Sequence, residues 1–432
     1  MTGISFHLSP SESATRLAAS SFAHSVLLPS RASYLPLPSH PARFQATRPS
    51  YAAAVSASLL KSQLSPRLGG TSGTLLEAAL LVEECYAVEP SAALTIFATG
   101  LGLTPFNIAG DATAHAGFLA PFLSGEGAPL ASLVYSEPGG VANAMERGGR
   151  GLRTTARREE GGGWVVDGEK MWATNCAGWD FKGCEVACVV CRDVTDGEEY
   201  DGDPRERVMV VVVTRGDLER NGEGSFEVVR HVEMPGHSSV SGPRVRYNSV
   251  RVPEGNVLCP PGKGAEVVFG AFDASAVLVG AMGVGVMRAA FEAALGFAKR
   301  DDRGGRVPLL ERQAFADLLS GIKMQAEAAR ALTWKAAHAL ENGPGDYDAR
   351  RELALAAKIF SSEAAVKACT DAINAVGVTA YDNDQPFADL LNTAIVLPIF
   401  DGGNVGIRRR HMQELMLSPT YDAWASTFGP SK

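Results

Sequence analysis

The residues best suited to chemistry stand near the C-terminus, in Phe400-Asp401-Gly402-Gly403-Asn404-Val405-Gly406-Ile407-Arg408. A lone carboxylate there follows an apolar segment and meets a tight glycine turn, a setting dry enough to raise its basicity. Arg408 lies seven residues further on. If a helix starts near Gly403, two turns of ~3.6 residues bring the guanidinium back beside the aspartate. The pair then reads as a carboxylate base, held ionised and oriented by a forked hydrogen bond from its cationic partner. The same residues also fit plainer roles, Asp401 as a helix cap and Arg408 as a surface arginine beside Arg409 and Arg410.

Other reactive groups carry less. Cys184, Cys188 and Cys191 sit in a β-branched run that reads as a buried strand, and no second cysteine or histidine pair follows at zinc-ligand spacing. Gly283-x-Gly285 lacks the third glycine of a nucleotide fingerprint and lies within a helical pattern, where close helix packing explains it. His231 and His237 flank Pro235-Gly236 and receive no role. A Ser-His-Asp hydrolase is disfavoured because no Gly-x-Ser-x-Gly elbow occurs between a strand and a helix.

The elements that must position Asp401 follow from composition and periodicity. With 432 residues, 46% of them hydrophobic and 20% charged, the chain can bury a large core. A net charge of −8 without long like-charge runs argues against nucleic acid and anionic membranes as partners. Seven cysteines, an odd number in so long a chain, do not suggest a secreted disulfide framework. Met1 to Leu8 lack a secretory pattern, and Gly429-Pro430-Ser431-Lys432 is no peroxisomal address, so a cytoplasmic location is expected. The apolar stretch Ala274 to Met287 falls short of the ~20 residues of a membrane span and reads as a buried helix.

Residues 1–128 show alanine-rich helical periods, starting with a polar cap at Ser9 to Glu12. Residues 129–257 change to short β-branched runs, and Asp167-Gly168 carries the signature of a two-residue hairpin turn. Trp172 and Thr174 then fall on the strand after that turn, two residues apart and on one face. Residues 258–432 return to long helical periods: Phe291 to Lys299, Gln313 to Glu341, Tyr347 to Val376 and Asn404 to Met416. The expected fold is α+β and multidomain, with an N-terminal all-α domain, a central antiparallel β-domain and a C-terminal four-helix bundle.

Ser136-Glu137-Pro138-Gly139, the run from Trp164 to Asn175, and Gln313 with Ala316-Asp317 resemble the acyl-CoA dehydrogenase superfamily, over nearly the whole chain from Leu8 to Met416. Within it the sequence is most similar to the fungal nitroalkane oxidases. That similarity rests on Phe44 to Pro49, Ser132 to Pro138, Gly178-Trp179-Asp180, Ala187 to Arg192, Ser275 to Met282, and Phe400 to Asn404 with Arg408-Arg409-Arg410. Most of the wider family has glutamate at the position of Asp401.

The resemblance implies an FAD enzyme in which Asp401 removes a proton beside an electron-withdrawing group, Arg408 supports it, and Ser275 hydrogen-bonds its carboxylate. From the residues alone, Ser275 suits equally a hydroxyl bonded to its own helix backbone. The resemblance also sets Trp172 against the isoalloxazine and Thr174 near its reactive nitrogen, where the nitroalkane oxidases have serine. By the same resemblance Leu133, Val134, Tyr135 and Ser136, with Val141, Ala142 and Asn143, wrap the ring and pyrophosphate. The dehydrogenases place Gly-Ser-Asp where this chain has Val141-Ala142-Asn143. Arg303 and Gln313 resemble residues that reach a neighbouring subunit's FAD, and Asn374, Gly377 and Val378, with Phe400, Gly402 and Gly403, resemble the turns that complete the site.

The implied reaction takes a small nitroalkane, O2 and water to an aldehyde or ketone, nitrite and hydrogen peroxide, in a homotetramer. An aspartate reaches about 1.5 Å less far than a glutamate, which suits a small substrate that can slide toward it. The alternatives are an acyl-CoA dehydrogenase-like flavoenzyme, and a flavin-bound scaffold without turnover.

Overall fold

The structure, a computed structural model, describes residues 6–431. Met1 to Ser5 and Lys432, which enter the reading of the two termini, lie outside the described residues. The first third is helical: α1 (Pro10–Phe22), α2 (Leu28–Tyr34), α3 (His40–Ala46), α4 (Arg48–Ser56), α5 (Leu75–Tyr86), α6 (Pro90–Ala109) and α7 (Ala116–Leu123). Local chemistry sets where these begin. Ser9 and Glu12 form a capping box on α1, Thr74 and Glu77 another on α5, each satisfying backbone N–H groups that a helix start leaves unpaired.

The middle of the chain folds into one eight-stranded sheet, with β1 (Ala131–Val134), β2 (Thr155–Arg158), β3 (Trp164–Lys170), β4 (Val186–Asp193), β5 (Val208–Thr214), β6 (Phe226–Arg230), β7 (Arg244–Val252) and β8 (Val257–Cys259). The order is β6-β7-β3-β2-β4-β5-β8, with β1 also paired to β4. Most pairs are antiparallel, but β1 and β2 both run parallel to β4, along different stretches of it. Cys188 and Cys191 lie on β4, and β4 and β5 are apolar without alternation because both their faces are covered. A short helix, α8 (Arg215–Asn221), follows β5.

The structure corrects the hairpin expected at Asp167-Gly168. That dipeptide lies inside β3, which runs on to Lys170 against β7, with a register shift between Val166 and Gly168. It is a bulge. Gly168 has φ of 138°, and a side-chain carbon there would lie 2.6 Å from Thr154 Cα. The chain reverses earlier, between β2 and β3, where Gly161, Gly162 and Gly163 all take positive φ.

The C-terminal region packs α9 (Gly264–Ala298), α10 (Gln313–Asn342) and α11 (Tyr347–Val376) together, joined by the shorter α12 (Phe387–Ala394), α13 (Arg409–Met416) and α14 (Ala425–Phe428). The apolar stretch around Ala274 and the period read from Phe291 are one helix of 35 residues. It is therefore not too short to cross a membrane. By length and composition both α6 and α9 could do so, yet most of each is buried within this fold. Glycines let α9 approach its neighbours: a side-chain carbon at Gly283 would lie 2.5 Å from Ser361 Oγ, and one at Gly285 2.7 Å from the Glu83 carbonyl. Buried Glu83 accepts from Arg288 of α9 and Arg330 of α10, tying the first helical region to the bundle.

Candidate active site

Asp401 and Gly402 are consecutive left-handed residues, φ 55° and 82°. Aspartate tolerates that conformation better than most side chains, and glycine is free in it. The Asn404 N–H closes the turn on the Pro398 carbonyl at 2.8 Å. A π-helical turn, Asn404–Arg408, then leads into α13. Its wider winding, rather than the α-helical turns expected, brings Arg408 back over Asp401.

Arg408 is 1% exposed, so it is no surface arginine. It also does not fork the Asp401 carboxylate. Its Nη2 donates to two backbone carbonyls, Asp401 at 2.6 Å and Phe272 at 2.8 Å, and its Nη1 lies 3.7 Å from Asp273 Oδ1. The guanidinium thus clamps the turn to α9 and acts on the carboxylate through space. Asp273 is held in turn by Arg351 at 2.9 Å and by the Tyr347 hydroxyl at 3.1 Å.

Ser275, on α9, donates its hydroxyl to Asp401 Oδ2 at 2.5 Å and has its own helix carbonyl, Phe272, at 3.1 Å. The hydroxyl carries one proton, so it donates to one of these two acceptors at a time. Burial pushes the Asp401 carboxyl above the ordinary carboxylate range, against the charge of Arg408, the Ser275 hydrogen bond and the charge of Lys358. Burial also lowers Arg408, while Asp401 and Asp273 hold it up.

A cavity of ≈ 1040 Å³ opens beside this group, lined by Ser275, Phe400, Asp401, Gly402 and Arg408 together with Leu133, Tyr135, Ser136, Val141, Ala142, Trp172 and Thr174. Three of the expected cofactor residues nearby are not on its wall. Val134 is buried on the other face of β1, as strand alternation requires, Asn143 is exposed and receives Arg410 at 2.7 Å, and Gly403 caps the π-helical turn. Trp172 and Thr174 are not on a strand. β3 ends at Lys170, and Trp172 sits in the following loop with φ of 67° and 52% exposure.

An aromatic side chain held in a rarely populated conformation and left half open toward a cavity is a platform for a flat ring. With Leu133, Tyr135 and Ser136 along the same wall, the residues present fit FAD. The remaining expected residues, Arg303, Gln313, Asn374, Gly377 and Val378, are not on the cavity wall. Arg303 bonds the Val376 carbonyl and, at 3.3 Å, Thr379 Oγ1, so it meets the turn of Gly377 and Val378. Gln313, Asn374, Gly377 and Val378 are exposed.

Sequence reasoning missed Lys358, Arg410 and Asp273. Lys358 is fully buried and donates to the Gly402 carbonyl at 3.0 Å. Arg410 braces the Ala142 carbonyl at 2.6 Å. For Lys358 and Asp273 the sequence signal was a charge within an otherwise apolar helical run; Arg410, in the polar run Arg408-Arg409-Arg410-His411, carried none. His237, buried behind Phe400, is pushed down to about 4 by burial and is neutral.

The chain matches the family model for the acyl-CoA dehydrogenase C-terminal domain over residues 262–417. It is 73% identical over 427 residues to a nitroalkane oxidase of Podospora anserina, covering 99% of each chain. A solved structure of a Podospora anserina nitroalkane oxidase, also 73% identical, superposes with a TM-score of 0.97, covering 99% of this chain and 100% of that one. A nitroalkane oxidase of Fusarium oxysporum is 44% identical over 433 residues, 99% of this chain and 98% of its own. A solved active-site mutant of a nitroalkane oxidase, crystallised with 1-nitrooctane, is 43% identical with a TM-score of 0.96, covering 99% of this chain and 100% of that one. The chain belongs to the nitroalkane oxidase family, FAD-dependent oxidoreductases built on the acyl-CoA dehydrogenase fold.

Proposed function

We propose that this chain oxidises small nitroalkanes with O2 and water, giving an aldehyde or ketone, nitrite and hydrogen peroxide, and that Asp401 removes the α-proton. The observation that carries this reading is the Asp401 carboxyl on the cavity wall, with Oδ2 fixed by Ser275 at 2.5 Å and its backbone clamped by Arg408. Relatives crystallised with 1-nitrooctane and 1-nitrohexane support the substrate class.

With Oδ2 engaged, Oδ1 is the oxygen left to meet a C–H bond. Desolvation makes the carboxylate a stronger base, and Arg408, Ser275 and Lys358 keep it from being protonated before substrate arrives. Ser275 can serve both protonation states. Its single proton faces Asp401 Oδ2 while the carboxylate is ionised. Once Asp401 has taken a proton on Oδ1, Oδ2 is the carbonyl oxygen of the acid and still accepts from the Ser275 hydroxyl. FAD, when bound, accepts the electron pair released by deprotonation and passes it to O2. In the same reading Arg303 and Gln313 serve the cofactor of a neighbouring subunit in a homotetramer, and the turns of Asn374, Gly377 and Val378 complete the dinucleotide site.

Anaerobic nitroethane should bleach the bound flavin, air should restore its colour, and nitrite should appear, whereas an acyl-CoA should do none of this. A scaffold would respond to neither. The Asp401→Asn variant should retain FAD, lose most turnover on neutral nitroethane and keep activity on the nitronate; equal loss on both would rule out proton abstraction by Asp401.

A further inference from the structure

The turn that presents Asp401 is gripped from two sides. Arg408 holds the Asp401 carbonyl against α9, while Lys358, from the middle of α11, donates its Nζ to the next carbonyl, Gly402, at 3.0 Å and to Asn404 Oδ1 at 2.7 Å. Lys358 is 0% exposed. Asn404, itself buried, donates onward to Ser362 Oγ and Glu363 Oε1 at 3.0 Å each, and Glu363 pairs with Arg409 at 2.8 Å. A lysine is seldom fully buried without a reason, and here both of its acceptors belong to the segment that aims the carboxylate.

We propose that Lys358 is a positioning residue for Asp401: it pins the left-handed Asp401–Gly402 turn to α11 through the Gly402 carbonyl and sets a buried positive charge behind the carboxylate. This rests on the reading of Asp401 as the base. The charged groups facing Lys358 are Asp401 from the turn, Arg408 from the π-helical turn, Arg409 from α13 and Glu363 from α11 itself. Burial, and then Arg408, pull the ammonium down to about 7, while Asp401 and Glu363 hold it up. An amine donates to two acceptors as an ammonium does, so deprotonation removes the charge and leaves the turn held.

The two contributions separate by substitution. Lys358→Gln retains a donor and loses the charge; Lys358→Met loses both. The readout is the pH profile of kcat/KM on neutral nitroethane, whose acidic limb reports the base in the free enzyme. Both variants should move that limb upward by roughly one pH unit, the effect expected when a nearby opposite charge is removed. The methionine variant should in addition lose plateau kcat/KM by about tenfold, with less loss in the glutamine variant. A merely structural lysine would lower stability without moving the limb. An unmoved limb and plateau in folded variants would overturn the proposal. If the methionine variant does not fold, the limb of the glutamine variant decides. Asp401→Asn, run in parallel, separates the two readings: if its acidic limb persists, Asp401 is not the base, whereas if its limb vanishes and the Lys358 variants match wild type, only the role of Lys358 fails.

Discussion

Replacing Gly402 by alanine puts the geometry of the Asp401–Gly402 turn under direct load. At φ of 82° a non-glycine residue costs roughly 1–2 kcal/mol. The new methyl carbon would lie 2.8 Å from Arg408 Nε and 3.2 Å from its Cζ, against ordinary contact from 3.4 Å. Arg408 is enclosed, so its guanidinium can give way only by stretching the bonds from Nη2 to the Asp401 and Phe272 carbonyls. Each such charge-assisted bond contributes about 1.5–3 kcal/mol. Part of one, added to the backbone strain, gives an expected stability loss of about 2–4 kcal/mol. On the proposed role of Asp401 as the base, a shift of ~1 Å in its carboxylate should cut kcat/KM on neutral nitroethane by about 100-fold. Activity on the nitronate, which needs no proton removed, should fall less than tenfold. Urea unfolding of the FAD-loaded protein and paired kinetics on the two substrate forms measure both effects. An alanine variant with wild-type stability and turnover would show that the left-handed turn and its arginine clamp do not govern the base.

Two further outcomes follow from the same cluster. Ser275→Ala removes the donor that holds the Asp401 carboxyl down, so the acidic limb of kcat/KM should shift upward and its plateau should drop by roughly 10- to 100-fold, read from a pH profile. Asp401 also leaves a signature in stability. Its folded carboxyl lies above the ordinary value of 3.8, so the folded state binds the proton more tightly, and this contribution, full at pH below 3.8, is lost as pH rises through the folded value. The Asp401→Asn variant should therefore melt above wild type at neutral pH, by a margin that vanishes in acid. A thermal scan from pH 3 to 8 showing no such convergence would contradict a raised carboxyl.

Much of this molecule was legible in the order of its residues. Periodicity and caps located helices such as α1, α5 and α11, and β-branched runs located β4 and β5, because both signals arise within a few neighbouring residues. Asp401, Ser275 and Arg408 were nameable as residue types. Other features were decided by contacts across the chain. Asp167-Gly168 carries hairpin chemistry, but the pairing of β3 with β7 made it a bulge and left the reversal to Gly161, Gly162 and Gly163. Trp172 and Thr174 left the strand because β3 ends at Lys170, whose Nζ is drawn inward to the Tyr135 and Val190 carbonyls at 2.9 and 2.7 Å.

The sharpest division lies at the Asp401–Gly402 turn. The sequence by itself determined that a carboxylate, two glycines and an arginine stand together, since these are covalent facts and turn preferences. Only the tertiary structure decided that Arg408 grips carbonyls rather than the carboxylate, and that Lys358, 44 residues before Gly402, completes the grip. Which polar groups pair in a dry interior depends on how α9, α11 and the turn pack. That packing minimises buried, unpaired polar atoms over the whole molecule, a condition no local stretch of residues can state.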